Sequence, residues 1–270
     1  MVLGGLGILR LVASDLDGTL LRSDGAVSDR TRAAFAAVRA AGLEVVLASA
    51  RSPHWLSEIA ADVGAGDIAI CCNGAVVHDL QARRTLHHFA LPALVGERVV
   101  RALRAAAPGV AFACEREATA IREPAYDPLW PTPDMRPRTD ALVFVQEPVS
   151  KLVVQHPSVV QDELRALAVE VCGDEATVTI SGERLVEISA AGVTKGFALR
   201  RVCEELGVSA DEVVAFGDMP NDCEMLAWAG RGVAVANAHH AALAAADEVT
   251  GSNDLDGVAV ALERMLANDS

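Results

Sequence analysis

Both ends of this 270-residue chain alternate short apolar runs with segments of helical periodicity, and that rhythm restricts the fold more than any other feature. Ile8–Ser14 is an apolar run ending at an Asp-x-Asp-Gly turn. Ser28–Ala41 has apolar residues at helical spacing, with Ser28 placed to cap it and Gly42 to stop it. Glu44–Ala48 reads as a second buried strand, Pro53–Val63 as a helix opened by proline, and Asp67–Cys72 as a third strand. The C-terminal third resumes the pattern. Helices are expected over Thr194–Leu206, Asn221–Ala229, His239–Ala246 and Leu255–Leu266, with strands over Glu212–Phe216, Gly232–Ala236 and Asp247–Thr250 between them. Strands joined through helices lie parallel. The order therefore predicts an α/β fold, a Rossmann-like doubly wound parallel sheet with helices on both faces.

The middle of the chain breaks the rhythm. Pro92–Ala107 reads as a helix, followed by a strand pair over Val110–Cys114 and Ala118–Arg122. Lys151–His156 is a strand, Ser158–Cys172 a helix, and Ala176–Ile180 with Arg184–Ser189 a hairpin. Helix–strand–strand thus occurs twice, which hints at a weak internal duplication. Between the two units, Glu123–Asp140 holds Pro124, Pro128, Pro131, Pro133 and Pro137, so an irregular excursion is expected there. The expected organisation is a core built from residues 1–84 and 190–270, interrupted by an inserted α/β cap at 85–189.

Composition limits the partners. Half the residues are apolar and only 4% aromatic, which suits Ala/Val/Leu packing of helices on a sheet and leaves few stacking platforms. A net charge of −14 repels a polyanion, so nucleic acid is not an expected partner. Any phosphate site must then be positive locally. The six cysteines form no Cys-x-x-Cys pair and sit mostly among apolar residues, as expected of reduced thiols in a cytoplasmic protein. The opening MVLGGLGILRLVAS lacks a basic leader, and no apolar run reaches membrane-spanning length, so no membrane partner is expected. A monomer or small homo-oligomer is consistent with all of this.

Chemistry concentrates at strand ends. Asp15 and Asp17 follow the first strand and, two residues apart, project to the same side. Two such carboxylates repel unless a cation or a shared proton intervenes, and Mg²⁺ would offset that repulsion and screen an incoming phosphate. One carboxylate could then attack phosphorus while the other moves protons. Gly18 permits the sharp turn, and the Thr19 hydroxyl could hold an oxygen. About 200 residues later, Gly217-Asp218-Met219-Pro220-Asn221-Asp222 follows another strand and opens a helix. Asp218 and Asp222 could cap that helix and also complete an oxygen shell. Ser49 ends the second strand just before a helix, where a hydroxyl and free amides can cradle phosphate. Lys195 stands at a helix start, against the helix dipole, so it needs an anionic partner; the candidates are Asp15 and a bound phosphate.

Asp15-Leu16-Asp17-Gly18-Thr19-Leu20, Ser49, Lys195 and Gly217-Asp218 with Asn221-Asp222 resemble the four ordered motifs of the haloacid dehalogenase superfamily. The inserted segment resembles its type-two α/β cap. Cys72-Asn73-Gly74-Ala75 and the ending from Val249 to Ala259 are similar to its Cof-like branch of sugar-phosphate and related phosphatases. The resemblance implies a Mg²⁺-dependent phosphatase acting on small phosphorylated metabolites through a phospho-aspartyl intermediate. It implies Asp15 as nucleophile, Asp17 as acid and base, and Ser49 with Lys195 on the phosphoryl group. Asp218 would bind Mg²⁺ with Asp15 and the Asp17 carbonyl, with Asp222 in or near that shell. Asn73 and Gly74 would line the phosphate entrance, and Asn221 would orient the metal side. The branch usually has Thr-Gly-Arg where this chain has Ser49-Ala50-Arg51: the hydroxyl is kept, and Ala50 adds a methyl in the substrate-binding loop.

The same aspartates would also serve a phosphosugar mutase, and the same fold could host a non-enzymatic sensor of phosphometabolites. The sensor has no use for a nucleophile with a proton donor. His87-His88 and His239-His240 are adjacent pairs that cannot converge on one ion and are expected at the surface. Trp130, Arg136 and Arg138, in the proline-rich stretch, are candidates for substrate contact from the cap.

Overall fold

The computed structural model describes residues 9–64, 68–116, 119–128, 135–136, 139–182 and 184–268. The first strand, β1 (Leu11–Asp15), is buried throughout. Helix α1 (Asp29–Ala40) starts where the Ser28 hydroxyl accepts the Thr31 amide. β2 (Glu44–Ala48), α2 (Pro53–Val63) and β3 (Ile68–Cys71) complete the N-terminal run. A hairpin follows, β4 (Val76–Asp79) and β5 (Arg84–His88). Its turn, Leu80–Arg83, has no Gly, Pro or Asn, which is why the sequence pattern does not announce it. The Asp79 carboxylate makes the turn instead by accepting the Ala82 amide at 2.8 Å, and Arg83 takes a left-handed φ of 52°.

The middle segment contains α3 (Ala93–Ala106), β6 (Ala111–Arg116), β7 (Thr119–Arg122), β8 (Met135–Arg136), α4 (Ala141–Phe144), β9 (Lys151–Gln155), α5 (Gln161–Cys172), β10 (Ala176–Thr179) and β11 (Val186–Ala190). Two of these depart from the expected irregular stretch and its surroundings. β8 lies inside it, paired to β7, and α4 follows it, capped by the Asp140 carboxylate. Trp130, Arg138 and the side chain of Arg136 lie outside the described residues. The C-terminal run is α6 (Lys195–Leu206), β12 (Val213–Gly217), α7 (Cys223–Trp228), β13 (Arg231–Ala234), α8 (His240–Ala245), β14 (Glu248–Val249) and α9 (Gly257–Asn268). None of the described helices is long and apolar enough to cross a membrane.

These strands form two sheets. The first has eight strands in the order β14-β13-β12-β1-β2-β3-β4-β5, parallel from β14 to β3 and antiparallel through the hairpin. The chain winds outward from β1 in one direction through β2 and β3, and in the other through β12, β13 and β14. The crevice where that order reverses lies at the C-terminal ends of β1 and β12. Strand alternation feeds both faces. Val12 and Leu47 face a cluster with Phe35, Val38, Leu56 and Leu262, from α1, α2 and α9. Leu11, Ala13 and Val46 face Leu199, Val202, Met225 and Leu226, from α6 and α7.

The second sheet has the order β10-β11-β9-β6-β7-β8 and is antiparallel except for the last pair. Phe112, Leu152, Val154, Val186 and Ile188 turn one face onto α3 and α5, through Val99, Leu103, Leu164 and Ala168. The alternate residues Ala111, Ala113, Val153 and Leu185 form a small apolar group with Tyr126 on the other face. β5 pairs in the first sheet, so the chain steps to the second sheet after His88, a few residues beyond the 84/85 division that the sequence rhythm predicts. It steps back after Ala190. The return is short: Ala191–Thr194, with the Gly192 amide donating to the Thr177 hydroxyl and Val193 seated in the first core.

Phe35 is fully buried and is among the largest such side chains in the first sheet's core. Phe35→Ala is expected to lower the unfolding free energy by about 3–5 kcal/mol, the sum of lost transfer energy and a residual cavity. Urea denaturation of the two proteins measures it; a change below about 1 kcal/mol would mean that this face of the sheet is not closely packed.

Candidate active site

The strand ends that the fold brings together carry Asp15, Ser49 and Asp218. Asp15 is the last residue of β1 and pairs in register with Ala48, so Ser49 follows one step beyond it on the neighbouring strand. Asp218 follows Gly217, the last residue of β12, on the other side of β1. Asp15, Asp218 and Asp222 are buried, and one carboxylate oxygen from each lies within 4.8 Å of the others. Two glycines permit this closeness. Gly18 has a φ of 81°, and a Cβ there would lie 2.4 Å from Asp218 Oδ2. Gly74, with a φ of 100°, would place a Cβ 2.1 Å from the Thr194 carbonyl, at the start of the helix that bears Lys195.

Lys195 compensates the cluster. Its ammonium is 1% exposed and donates to Asp15 Oδ1 at 2.5 Å and Asp222 Oδ1 at 2.7 Å. The sequence foresees the first partner and misses the second. Asp222 Oδ2 accepts the amides of Asp218 and Met219, which fixes the loop after β12. The Thr19 hydroxyl donates to Asp218 Oδ1 at 2.7 Å. Three carboxylates against one ammonium leave an excess of buried negative charge. Burial, and then the neighbouring Asp222, push Asp218 up to about 6. Burial is also the largest cause raising Asp15; Lys195 opposes it, and the nearby carboxylates add to the rise. A hard divalent cation would relieve this repulsion. The donor set, all carboxylate oxygens with no sulfur or imidazole, suits Mg²⁺.

Asp17 stands apart. Its side chain is half-exposed and forms a forked ion pair with Arg51, at 2.8 Å from Nε and 2.5 Å from an Nη. The Ser49 hydroxyl accepts the Arg51 amide, so the loop that carries Ala50 is closed on its own serine. Asn73 and Gly74 are buried in the turn after β3. Asn221 donates from Nδ2 to Asn73 Oδ1, and its own Oδ1 has no partner among the described residues. The Arg51–Asp17 pair has a sequence signal only in hindsight, since Arg51 belongs to the Ser49 loop. Lys151, Glu187 and Glu115 have none. They come from the second sheet, yet Lys151 donates to the Ala50 carbonyl at 2.6 Å. The histidine side chains engage elsewhere, His87 with Glu205 and His239 as the cap of α8, while the His239 amide donates to the Asp218 carbonyl at 2.8 Å.

The charge excess predicts a pH dependence. The folded state holds a proton on Asp218 up to about pH 6, whereas the unfolded chain releases it near 3.8. Its folded-state affinity for protons is the higher, so this group's contribution to stability rises as pH falls through that window. Denaturant unfolding without divalent metal is expected to show this gain as pH falls from about 6 to about 4, and Mg²⁺ to flatten it. A metal-free profile without the gain would count against three unscreened carboxylates.

Comparison with known proteins agrees with this geometry. Residues 12–262 match the model of a family of haloacid dehalogenase-like hydrolases. A chloroplastic endoribonuclease YBEY from Arabidopsis thaliana is 30% identical over 264 residues; the match covers 93% of this chain but only 45% of that protein, so this chain spans less than half its length. The 5-amino-6-(5-phospho-D-ribitylamino)uracil phosphatase YcsE of Bacillus subtilis is 29% identical, with 94% of each chain covered. Several others of similar identity are named phosphatases. Among solved structures, a phosphatase of the same superfamily from Bacteroides thetaiotaomicron superposes with a TM-score of 0.81 at 25% identity, over 98% of this chain and 97% of that one. With its ordered strand-end motifs, its sheet topology and this match over almost its whole length, the chain belongs to the haloacid dehalogenase-like hydrolases.

Proposed function

We propose that this protein is a phosphatase that hydrolyses small phosphate monoesters, such as sugar phosphates and related metabolites, through a phospho-aspartyl intermediate on Asp15. The observation that carries the reading is the buried Lys195 ammonium, clasped by Asp15 and Asp222 at the crevice between β1 and β12. Such a cation opposes the burial that raises Asp15, aims its carboxylate, and can meet the charge of a phosphoryl group. Asp15 attacks phosphorus, the bond to the ester oxygen breaks, and that oxygen takes a proton from Asp17. Asp17 then removes a proton from water, the water attacks the phospho-aspartate, and phosphate leaves with Asp15 restored. The Ser49 hydroxyl and Lys195 hold the phosphoryl oxygens.

Asp15 and Asp218, with the Asp17 carbonyl, would hold Mg²⁺, and Asp222 would stand beside them. When bound, the ion supplies positive charge that screens the phosphate from the carboxylates. The Asp17 carboxylate is turned away from the cluster and both its oxygens are held by Arg51, so its work as acid and base requires that this pair open when substrate enters. Residues of the first sheet and its helices would form the catalytic core, and the second sheet the cap that selects substrate. The named activity of the Bacillus subtilis relative, on a small phosphorylated metabolite, supports this choice of substrate class. The ribonuclease name belongs to a longer protein.

Purified protein is expected to hydrolyse p-nitrophenyl phosphate with Mg²⁺, to lose that activity in EDTA, and to lose it by a factor on the order of 10⁴ or more in Asp15→Asn, which keeps the shape and removes the nucleophile. Full activity in EDTA, or in a folded Asp15→Asn variant, would sink the assignment. Asp17→Asn is expected to slow phosphorylation by alkyl esters about 10²-fold or more and by p-nitrophenyl phosphate much less, because p-nitrophenolate leaves without a proton. Rapid-quench measurements on both ester types distinguish this from an equal loss, which would make Asp17 structural.

A further inference from the structure

The turn Cys72–Gly74 touches three of the segments that carry the candidate site. The Cys72 amide donates to the Arg51 carbonyl and the Asn73 amide to the Ser49 carbonyl, so the turn lies against the phosphate loop. Gly74 packs on the Thr194 carbonyl, at the head of the Lys195 helix. The Asn73 side chain accepts from Asn221, in the loop that bears Asp218 and Asp222. The backbone there is unusual: Cys72, Asn73 and Gly74 have φ values of 52°, 57° and 100°, all left-handed, and two of the three are not glycine. Such a conformation persists only where its surroundings hold it.

Part of what holds it comes from the second sheet. β6, β9 and β11 turn Glu115, Lys151 and Glu187 toward the first sheet, on the face opposite α3 and α5. Glu187 is 2% exposed and both its oxygens are engaged. Oε1 accepts Lys151 Nζ at 2.5 Å and Oε2 accepts Asn73 Nδ2 at 2.9 Å. Lys151 is 3% exposed; it also donates to the Ala50 carbonyl at 2.6 Å and lies 3.3 Å from Glu115. The Cys72 thiol donates to Glu115 at 3.1 Å. Glu187 touches neither Asp15 nor Ser49 nor Lys195, yet it reaches the phosphate loop through Lys151 and the metal-side loop through Asn73.

We propose that Glu187 is a positioning residue: with the cap seated, it clamps Asn73 and Lys151, and so sets the geometry of the Ser49–Arg51 loop and the Asn221 edge whatever leaving group the substrate carries. The inference rests on the phosphatase reading above. Glu187 accepts hydrogen bonds from Lys151, Asn73 and Ser181, so removing this buried carboxylate takes an acceptor from each and is felt at both loops. Cap seating and assembly of the phosphate site are then one event, and Glu187 is where they join.

Orthophosphate has no leaving group, so its binding separates this role from substrate selection. With Mg²⁺ present, Glu187→Ala is expected to weaken orthophosphate binding about tenfold by calorimetry, the scale of losing a hydrogen bond to a charged group. It should lower kcat/KM for short and long esters by the same factor. Asn73→Ala should act in the same direction, and the double variant should be no worse than Glu187→Ala alone. Amide exchange at Cys72–Ala75 should quicken in each. If Glu187→Ala does not fold, Glu187→Gln, which keeps the shape and one acceptor, carries the same test with a smaller loss. Intact orthophosphate binding with losses confined to some esters would overturn the proposal and make Glu187 a leaving-group contact. Additive losses in the double variant would also overturn it. A wild-type protein that neither binds orthophosphate nor hydrolyses esters would instead remove the phosphatase reading itself.

Discussion

The site depends on one ammonium buried among carboxylates. Without Lys195, Asp15 and Asp222 would be two buried anions with Asp218 beside them, an arrangement that would protonate or pull the loops apart. With it, Asp15 is aimed, and Asp222 is fixed between the lysine and two backbone amides. That bond joins β1 to α6 and to the loop after β12, segments about 180 and 30 residues apart along the chain. The pairing leaves three carboxylates against one ammonium, two positive charges short. A divalent cation would make up that deficit.

The parts legible in the sequence are those whose physics is local. Parallel strands buried on both faces leave apolar runs, and the helices between them carry caps such as Ser28 and stops such as Gly64, so the core rhythm is visible. The strand-end aspartates are visible because an acidic pair after an apolar run is costly and needs a reason. The hairpin β4–β5 is not visible, because a carboxylate and a left-handed arginine make its turn in place of Gly or Asn. Nor is the involvement of Asp222 with Lys195, which depends on how far a helix start lies from a neighbouring loop. Helix starts hold such residues for capping alone, and nothing along the chain separates the two cases.

Least legible are the groups that approach from the second sheet. Lys151 and Glu187 occupy alternate positions on strands whose other residues face an ordinary apolar core. In sequence they look like the solvent-facing half of a half-buried sheet. Only the docking of that face on the Ser49 loop makes them buried. The pair also shows how partners can outweigh burial at such a position. Burial alone would raise the Glu187 carboxyl, yet Lys151 and the hydrogen bonds it receives from Lys151, Ser181 and Asn73 bring it below its ordinary range.

The return of the chain from the second sheet has a mechanical meaning. Four residues, Ala191–Thr194, separate the end of β11 from the helix that opens with Lys195. Gly192 is tied back to Thr177, Val193 is anchored in the first core, and the Thr194 hydroxyl caps the helix. So short and so firmly fastened a connection has almost no slack. A rotation of the inserted segment is therefore transmitted as torque to the first turn of α6 and is not absorbed on the way. The outgoing connection, Phe89–Pro92, is as short but leads into α3 of the inserted segment. The two crossings thus form an asymmetric pivot: the inserted segment can gain or lose residues at its far loops at little cost, while the step before Lys195 must keep its length to within a residue.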